Sequence, residues 1–207
     1  MHTLALAATK GGVGKTSLAA CLAVEASKKG RVALFDLDPQ QSLARWLELR
    51  GDDPKIFSVS ARSAKQAVEI ARQEGAHLLI IDTPPALMLA IEPAVAVAEF
   101  VLIPCKPSPL DIESIGPIRE LCVECLDHGR HFGFVLSQVF TQGGAGLTEG
   151  ARQYLKEEGL VLTPIVGHRI AYAGAMADGR TGPEVDKSGK CAEEITALWK
   201  AVARELK

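Results

Sequence analysis

Thr9-Lys10-Gly11-Gly12-Val13-Gly14-Lys15-Thr16 is the stretch on which the fold reading turns. Before it, the apolar run Thr3–Ala8 reads as a buried strand. After it, Gly14–Lys29 carries Leu18, Leu22 and Ala26 on one helical face. A glycine-rich turn between strand and helix presents unpaired backbone N–H groups at a helix N-terminus, where the helix dipole favours an anion. Glycines let the backbone close around that anion without Cβ clashes. In such a loop Lys15 would reach the β- and γ-phosphates of a nucleotide, the Thr16 hydroxyl would bind Mg2+, and Ser17 would offer a donor to the α-phosphate. The usual spacing, G-x-x-x-x-G-K-[ST], begins with glycine where this chain has Thr9, and Lys10 supplies a second lysine.

Working outward, short apolar runs alternate with helical patterns. Strands are expected over Arg31–Leu37, Lys55–Val59, His77–Ile81, Phe100–Pro104, Phe132–Leu136 and Val161–Val166. Helices are expected over Gln41–Leu49, Ser63–Gln73, a segment after Leu110, Ala151–Glu158 and Glu193–Leu206. Gly30 reads as the glycine that closes the first helix, and Gly179–Gly189 as a surface loop. Near-continuous apolar strands alternating with helices predict an α/β fold: a doubly wound, mostly parallel sheet with helices on both faces. At 207 residues, with no repeat or linker, residues 1–207 are expected to form one domain.

Composition narrows the function classes. Aromatics are only 5% of residues, so the core must be built mainly from Ala, Val, Leu and Ile. A net charge of −2 excludes a whole-protein basic field, so any nucleic-acid contact needs a local patch or one assembled by a dimer. The N-terminal apolar stretch is too short for a secretory signal and lacks a preceding basic region. The 5 cysteines, an odd number, read as free thiols, and a cytoplasmic location is expected.

Three further stretches carry chemistry. Asp36 and Asp38, in Phe35-Asp36-Leu37-Asp38-Pro39-Gln40, fall on the same side of an extended segment at a strand end. Two carboxylates there lie where an open α/β sheet binds ligands, although a capping Asp and a turn Pro would read the same way. Leu78-Leu79-Ile80-Ile81-Asp82-Thr83-Pro84-Pro85 ends an apolar strand on one carboxylate, the arrangement that holds Mg2+ directly or through water. Pro104-Cys105-Lys106-Pro107-Ser108-Pro109-Leu110-Asp111 makes a stiff loop after a strand.

K-G-G-x-G-K-T, D-x-D-P-Q and D-T-P-P in this order resemble the deviant Walker A ATPases of the ParA/MinD family. The proline-rich loop and the absence of an extension before the phosphate loop are similar to its small ParF-like plasmid-partition members. The resemblance implies an ATPase using ATP and Mg2+. It places Lys10, Gly11, Gly12, Val13, Gly14, Lys15, Thr16 and Ser17 on the nucleotide, with Lys10 reaching the partner's site in an ATP-sandwiched homodimer. It implies that Asp38 positions the attacking water, that Thr16, Asp36 and Asp82 serve the Mg2+, and that Pro107 and Ser108 lie near the adenine and the dimer interface. It also implies slow hydrolysis stimulated by a ParB-type adaptor, and binding to nonspecific DNA, hence nucleoid association. Many relatives carry an Asn where this chain has Ser137 and Gln138, so base recognition could rest on these or on backbone groups.

Other signals read as structural. Cys122-x-x-Cys125 has no second ligand pair for zinc and sits at core spacing. Iron–sulfur relatives place cluster cysteines after the segment of Asp82, but Ala86–Ala98 has none. The last helix has Ile195, Leu198, Trp199 and Val202 on one stripe. It could lie on a membrane, yet Glu193, Glu194 and Glu205 favour packing on the sheet. Arg152, Lys156, Arg169, Arg180, Lys187 and Lys190 are candidates for phosphate contacts with DNA, interspersed with acids. A metabolic enzyme of the dethiobiotin-synthetase type and a membrane-bound MinD-like positioning ATPase are the alternatives.

Overall fold

The computed structural model describes residues 1–51, 53–85, 88–126, 131–140 and 144–206. The elements are β1 (His2–Leu6), α1 (Lys15–Ser27), β2 (Val32–Asp36), α2 (Ser42–Arg50), β3 (Ile56–Ser58), α3 (Ala64–Gln73), β4 (Leu78–Asp82), α4 (Met88–Val97) and β5 (Phe100–Cys105). They continue with α5 (Pro109–Glu113), α6 (Gly116–Cys125), β6 (His131–Leu136), α7 (Ala145–Glu158), β7 (Leu160–Val161), α8 (Ile170–Met176), α9 (Gly182–Val185) and α10 (Lys190–Glu205).

The strands form a seven-stranded sheet in the order β3-β2-β4-β1-β5-β6-β7, and every pairing is parallel. After β1 the chain builds one side of the sheet, then crosses at β5 to build the other. The carboxyl end of β1 therefore lies at the switch point where open α/β sheets bind ligands.

Alternation along the strands sorts the core into two layers. Leu4, Leu6, Leu34, Leu78, Ile80 and Leu102 pack against α1, α2 and α10. Ala5, Ala33, Phe35, Leu79, Ile81 and Val101 pack against α3, α4, α6 and α7. Small residues in α1 (Ala19, Ala20, Cys21, Ala23, Ala26) are buried nearly all round, so that helix lies tight between sheet and α10. On α10, Ile195, Leu198 and Val202 are fully buried, and the apolar stripe is consumed by packing. Cys122 is buried in the core and Cys125 packs against it.

The structure corrects several sequence expectations. Gly30 does not close α1 with a left-handed turn, since it is absent from the positive-φ residues. A Cβ there would stand 2.9 Å from the His77 ring, so glycine is needed for close approach. Gly179–Gly189 is not a loose excursion. Thr181, Gly182 and Pro183 are buried, α9 starts with a capping box from Thr181 and Glu184, and Trp46 Nε1 donates to the Arg180 carbonyl at 2.9 Å. The Arg50 guanidinium grips Glu184 with two bonds of 2.9 Å.

The strand expected over residues 161–166 shrinks to β7, because Pro164 cannot donate to the ladder; Val166 N still reaches the Leu136 carbonyl at 2.9 Å. The helix read from Ala151 begins at Ala145, since Gly146 and Gly150 have open space around them and are tolerated. Helix α4 has no counterpart among the sequence expectations because Pro93 lies inside it. Of the cysteine-free segment 86–98, residues 86 and 87 lie outside the described residues.

Candidate functional site

The stretch after β1 forms an open loop that feeds α1. Gly12 (φ 69°) and Gly14 (φ 91°) adopt the left-handed backbone that favours glycine. Gly14 is the N-cap of α1, and no side chain caps that helix, so its first N–H groups are left for a ligand. The loop is braced from outside. The Thr9 hydroxyl, standing where the usual motif has glycine, donates to the Ser114 carbonyl at 2.7 Å. The Ser137 hydroxyl donates to the Val13 carbonyl at 2.9 Å, and Gln138 Nε2 donates to the Gly12 carbonyl at 2.6 Å. Ser137 and Gln138 thus spend these donors on the loop's carbonyls rather than presenting them to a base. Gln138 does so from a left-handed backbone (φ 52°).

The carboxylates gather at the same edge. Asp36 and Asp82 are register partners on β2 and β4, and Leu6 pairs with Asp82 on the other side. The Thr16 hydroxyl donates to Asp82 Oδ2 at 2.6 Å, while Asp82 Oδ1 is buried with no hydrogen-bond partner among the described residues. Burial pushes the Asp82 carboxyl up to about 7, and the Asp36 and Asp38 charges add to this; the Thr16 bond and Lys15 oppose it. Lys15 is buried, and that burial lowers its pKa against the raising charges of Asp82 and Asp38.

Asp36 does the capping work that a purely structural reading gives it. It accepts from Asp38 N at 3.0 Å, Leu43 N at 2.9 Å and Ala44 N at 3.1 Å, which fixes both the Asp38 turn and the start of α2. Burial still raises the Asp36 pKa. Asp38 is half-exposed and accepts from Gln40 N at 2.9 Å.

A carboxylate oxygen buried without a donor, beside a threonine hydroxyl and a lysine, is what a hard cation coordinated to phosphate would satisfy. Together with the uncapped helix and the left-handed glycines, these residues fit a Mg–nucleotide. The site residues read from the sequence converge here, with Lys10 exposed on the rim. Pro107 and Ser108 line an adjoining cavity of about 380 Å3 with Gln138, Phe140 and His168.

Sequence reasoning gave no site role to a second pocket, of about 100 Å3, beside Gly14 and Ser17. It is completed by Gly167, His168, Arg169 and Tyr172. Arg169 pairs with Glu194 at 2.5 Å and the Tyr172 hydroxyl donates to Glu194 at 3.0 Å, so α10 fixes this wall. Nothing in the spacing of residues 168–172 marks a pocket. Several basic candidates for DNA contact are already paired: Arg169 with Glu194, Arg180 with Asp178 and Lys190 with Glu193.

The model of the CobQ/CobB/MinD/ParA nucleotide binding domain matches residues 4–181. The chain belongs to this family. Among its relatives is the maintenance of carboxysome distribution protein A of Gloeobacter kilaueensis, 32% identical over 200 residues, covering 95% of this chain and 90% of that protein. The protein of the same description from Halothiobacillus neapolitanus is 28% identical, covering 97% and 95%. Protein ParA of Rhizobium radiobacter is 27% identical, covering 86% and 84%. The fold matches Cyanothece McdA in complex with ATP (TM-score 0.79, 21% identity, covering 100% of this chain and 96% of that one) and Aquifex aeolicus MinD (TM-score 0.81, 17% identity, 99% and 98%). Family membership places the braced loop and the Asp82 edge in a nucleotide-binding domain. Among the described residues no helix is long and apolar enough to cross a membrane.

Proposed function

We propose that residues 1–207 form one ATPase domain working as a nucleotide-dependent dimerising switch. The observation that carries this reading is the convergence of an uncapped, glycine-lined loop with Thr16, Lys15 and the buried, half-satisfied Asp82 at the switch point of the sheet. The loop N–H groups and Lys15 hold the phosphates. Thr16 and Asp82 hold a Mg2+, with Asp36 supporting from outside; that ion, when bound, neutralises charge developing on the phosphoryl oxygens. Asp38 orients water against the terminal phosphate, and the reaction converts ATP and water to ADP and phosphate. Phosphoryl transfer depends mainly on positioning and charge, so a half-exposed carboxylate suffices as orienter.

Lys10, exposed on the rim, completes the site of a second copy in the ATP state. Hydrolysis is weak until an adaptor of ParB type stimulates it, and the dimer then separates. The ATP dimer binds nonspecific DNA on the nucleoid and partitions plasmid or chromosomal DNA. A second reading, positioning of a protein assembly, is favoured by one observation: relatives covering nearly all of this chain carry the description of carboxysome distribution.

Titration with a fluorescent ATP analogue, with ATP turnover measured alongside, tests the switch. Lys15→Ala should lose nucleotide binding while the wild type turns ATP over slowly. Turnover that began only on adding a small-molecule acceptor would move the protein to the metabolic-enzyme class.

A further inference from the structure

The loop after β5 brings a further cation to the phosphate loop. Lys106 follows Cys105, the last residue of β5, and precedes Pro107, whose ring fixes the backbone. Cys105 is register-paired with Leu136, and its carbonyl lies 3.4 Å from the Ser137 hydroxyl that braces the loop. The Lys106 backbone is therefore anchored to the same strand end that holds the Val13 carbonyl. Its Nζ stands 3.7 Å from where a Cβ at Gly12 would be, against one of the two left-handed glycines of the loop.

Lys106 is half-buried, and it makes no ion pair among the described residues. Lys15, buried on the same loop, lies in the field of Asp82 and Asp38. An ammonium without an ion pair of its own, held beside a loop built to receive an anion, gains a charge-assisted partner when phosphate arrives. Among the described residues, none of the others lining the Lys106 cavity, Pro107, Ser108, Gln138, Phe140, Leu147 and His168 among them, carries a carboxylate.

We propose that Lys106 is a phosphate ligand: the ammonium donates to the phosphate tail of a nucleotide held in its own chain's loop. The inference rests on the nucleotide reading above. It adds a lysine from outside the loop and ties the Cys105–Ser108 segment, hence α5, to the presence of phosphate.

The test is calorimetric titration of the intact chain with ADP and with ATP, both with Mg2+, at low and raised salt. Wild type, Lys106→Ala and Lys106→Arg are compared, each first melted without nucleotide. Lys106→Ala should melt like wild type, bind both nucleotides about tenfold more weakly, and show a shallower fall of affinity with salt. Lys106→Arg should recover most of the affinity. Lys106→Ala binding ADP and ATP as tightly as a nucleotide-binding wild type would overturn the proposal alone. A wild type that bound neither nucleotide would overturn the underlying reading as well.

Discussion

The Thr16 hydroxyl satisfies one oxygen of Asp82, at 2.6 Å, and leaves the other buried without a donor among the described residues. An unpaired carboxylate oxygen is an expense in a nucleotide-free protein. Asp82→Asn removes the charge, and Thr16 can still donate to the amide oxygen. The nucleotide-free protein should therefore gain on the order of 2 kcal/mol at pH 8, a rise in Tm of roughly 4–8 °C. Calorimetry should find that gain, together with loss of Mg2+-dependent turnover.

The same carboxyl sets a pH dependence. Folded, Asp82 keeps its proton up to about 7, against 3.8 for the ordinary group. Between those values the folded protein binds more protons than the unfolded chain, so this contribution to stability falls as pH rises and is flat above about 7. Melting curves of wild type and Asp82→Asn should diverge across that window and run parallel above it. Curves that stayed parallel throughout would mean that Asp82 ionises near its ordinary value in the folded protein, its burial offset by Thr16 and Lys15.

Gly179 (φ 74°) packs so closely on α2 that a Cβ would lie 2.3 Å from Arg50 N. Gly179→Ala should cost about 3 kcal/mol or more, from backbone overlap and a left-handed φ. A thermal midpoint lower by roughly 6–12 °C is expected.

Ser137 is buried, and its hydroxyl holds the Val13 carbonyl. Ser137→Ala leaves that carbonyl without this donor, at about 1–3 kcal/mol of stability. Because the bond shapes the phosphate loop, nucleotide affinity should fall as well. An alanine variant with normal affinity and a lower Tm would restrict the bond to a structural role.

The sequence expectations succeed where local chemistry dictates structure. Apolar runs ending in Asp36 and Asp82 read as buried strands whose carboxylates emerge at one edge, and K-G-G-x-G-K-T between strand and helix adds the loop that uses that edge. They fail where tertiary contact overrides local preference. Gly30 looks like a helix terminator but yields space to His77, and the polar run 179–189 looks like a loop until Trp46 and Arg50 hold its first half, where Gly179 and residues 181–183 are buried. Ser137 and Gln138 stand where a base reader is expected, yet only three-dimensional proximity shows that they hold loop carbonyls.

Leu198 on α10 is fully buried. Leu198→Ala should destabilise the chain by about 2–5 kcal/mol. If α10 were instead a membrane-binding surface, that variant would melt like wild type and lose liposome binding.

The proposed switch is an ATP-dependent dimer emptied by hydrolysis at Asp38. The direct measurement is the molar mass of Asp38→Ala by light scattering after size exclusion, with ADP and then with ATP. A monomer with ADP and a persistent dimer with ATP, with ATP unhydrolysed, is the result predicted. A monomer with both nucleotides, or hydrolysis at the wild-type rate, would contradict it.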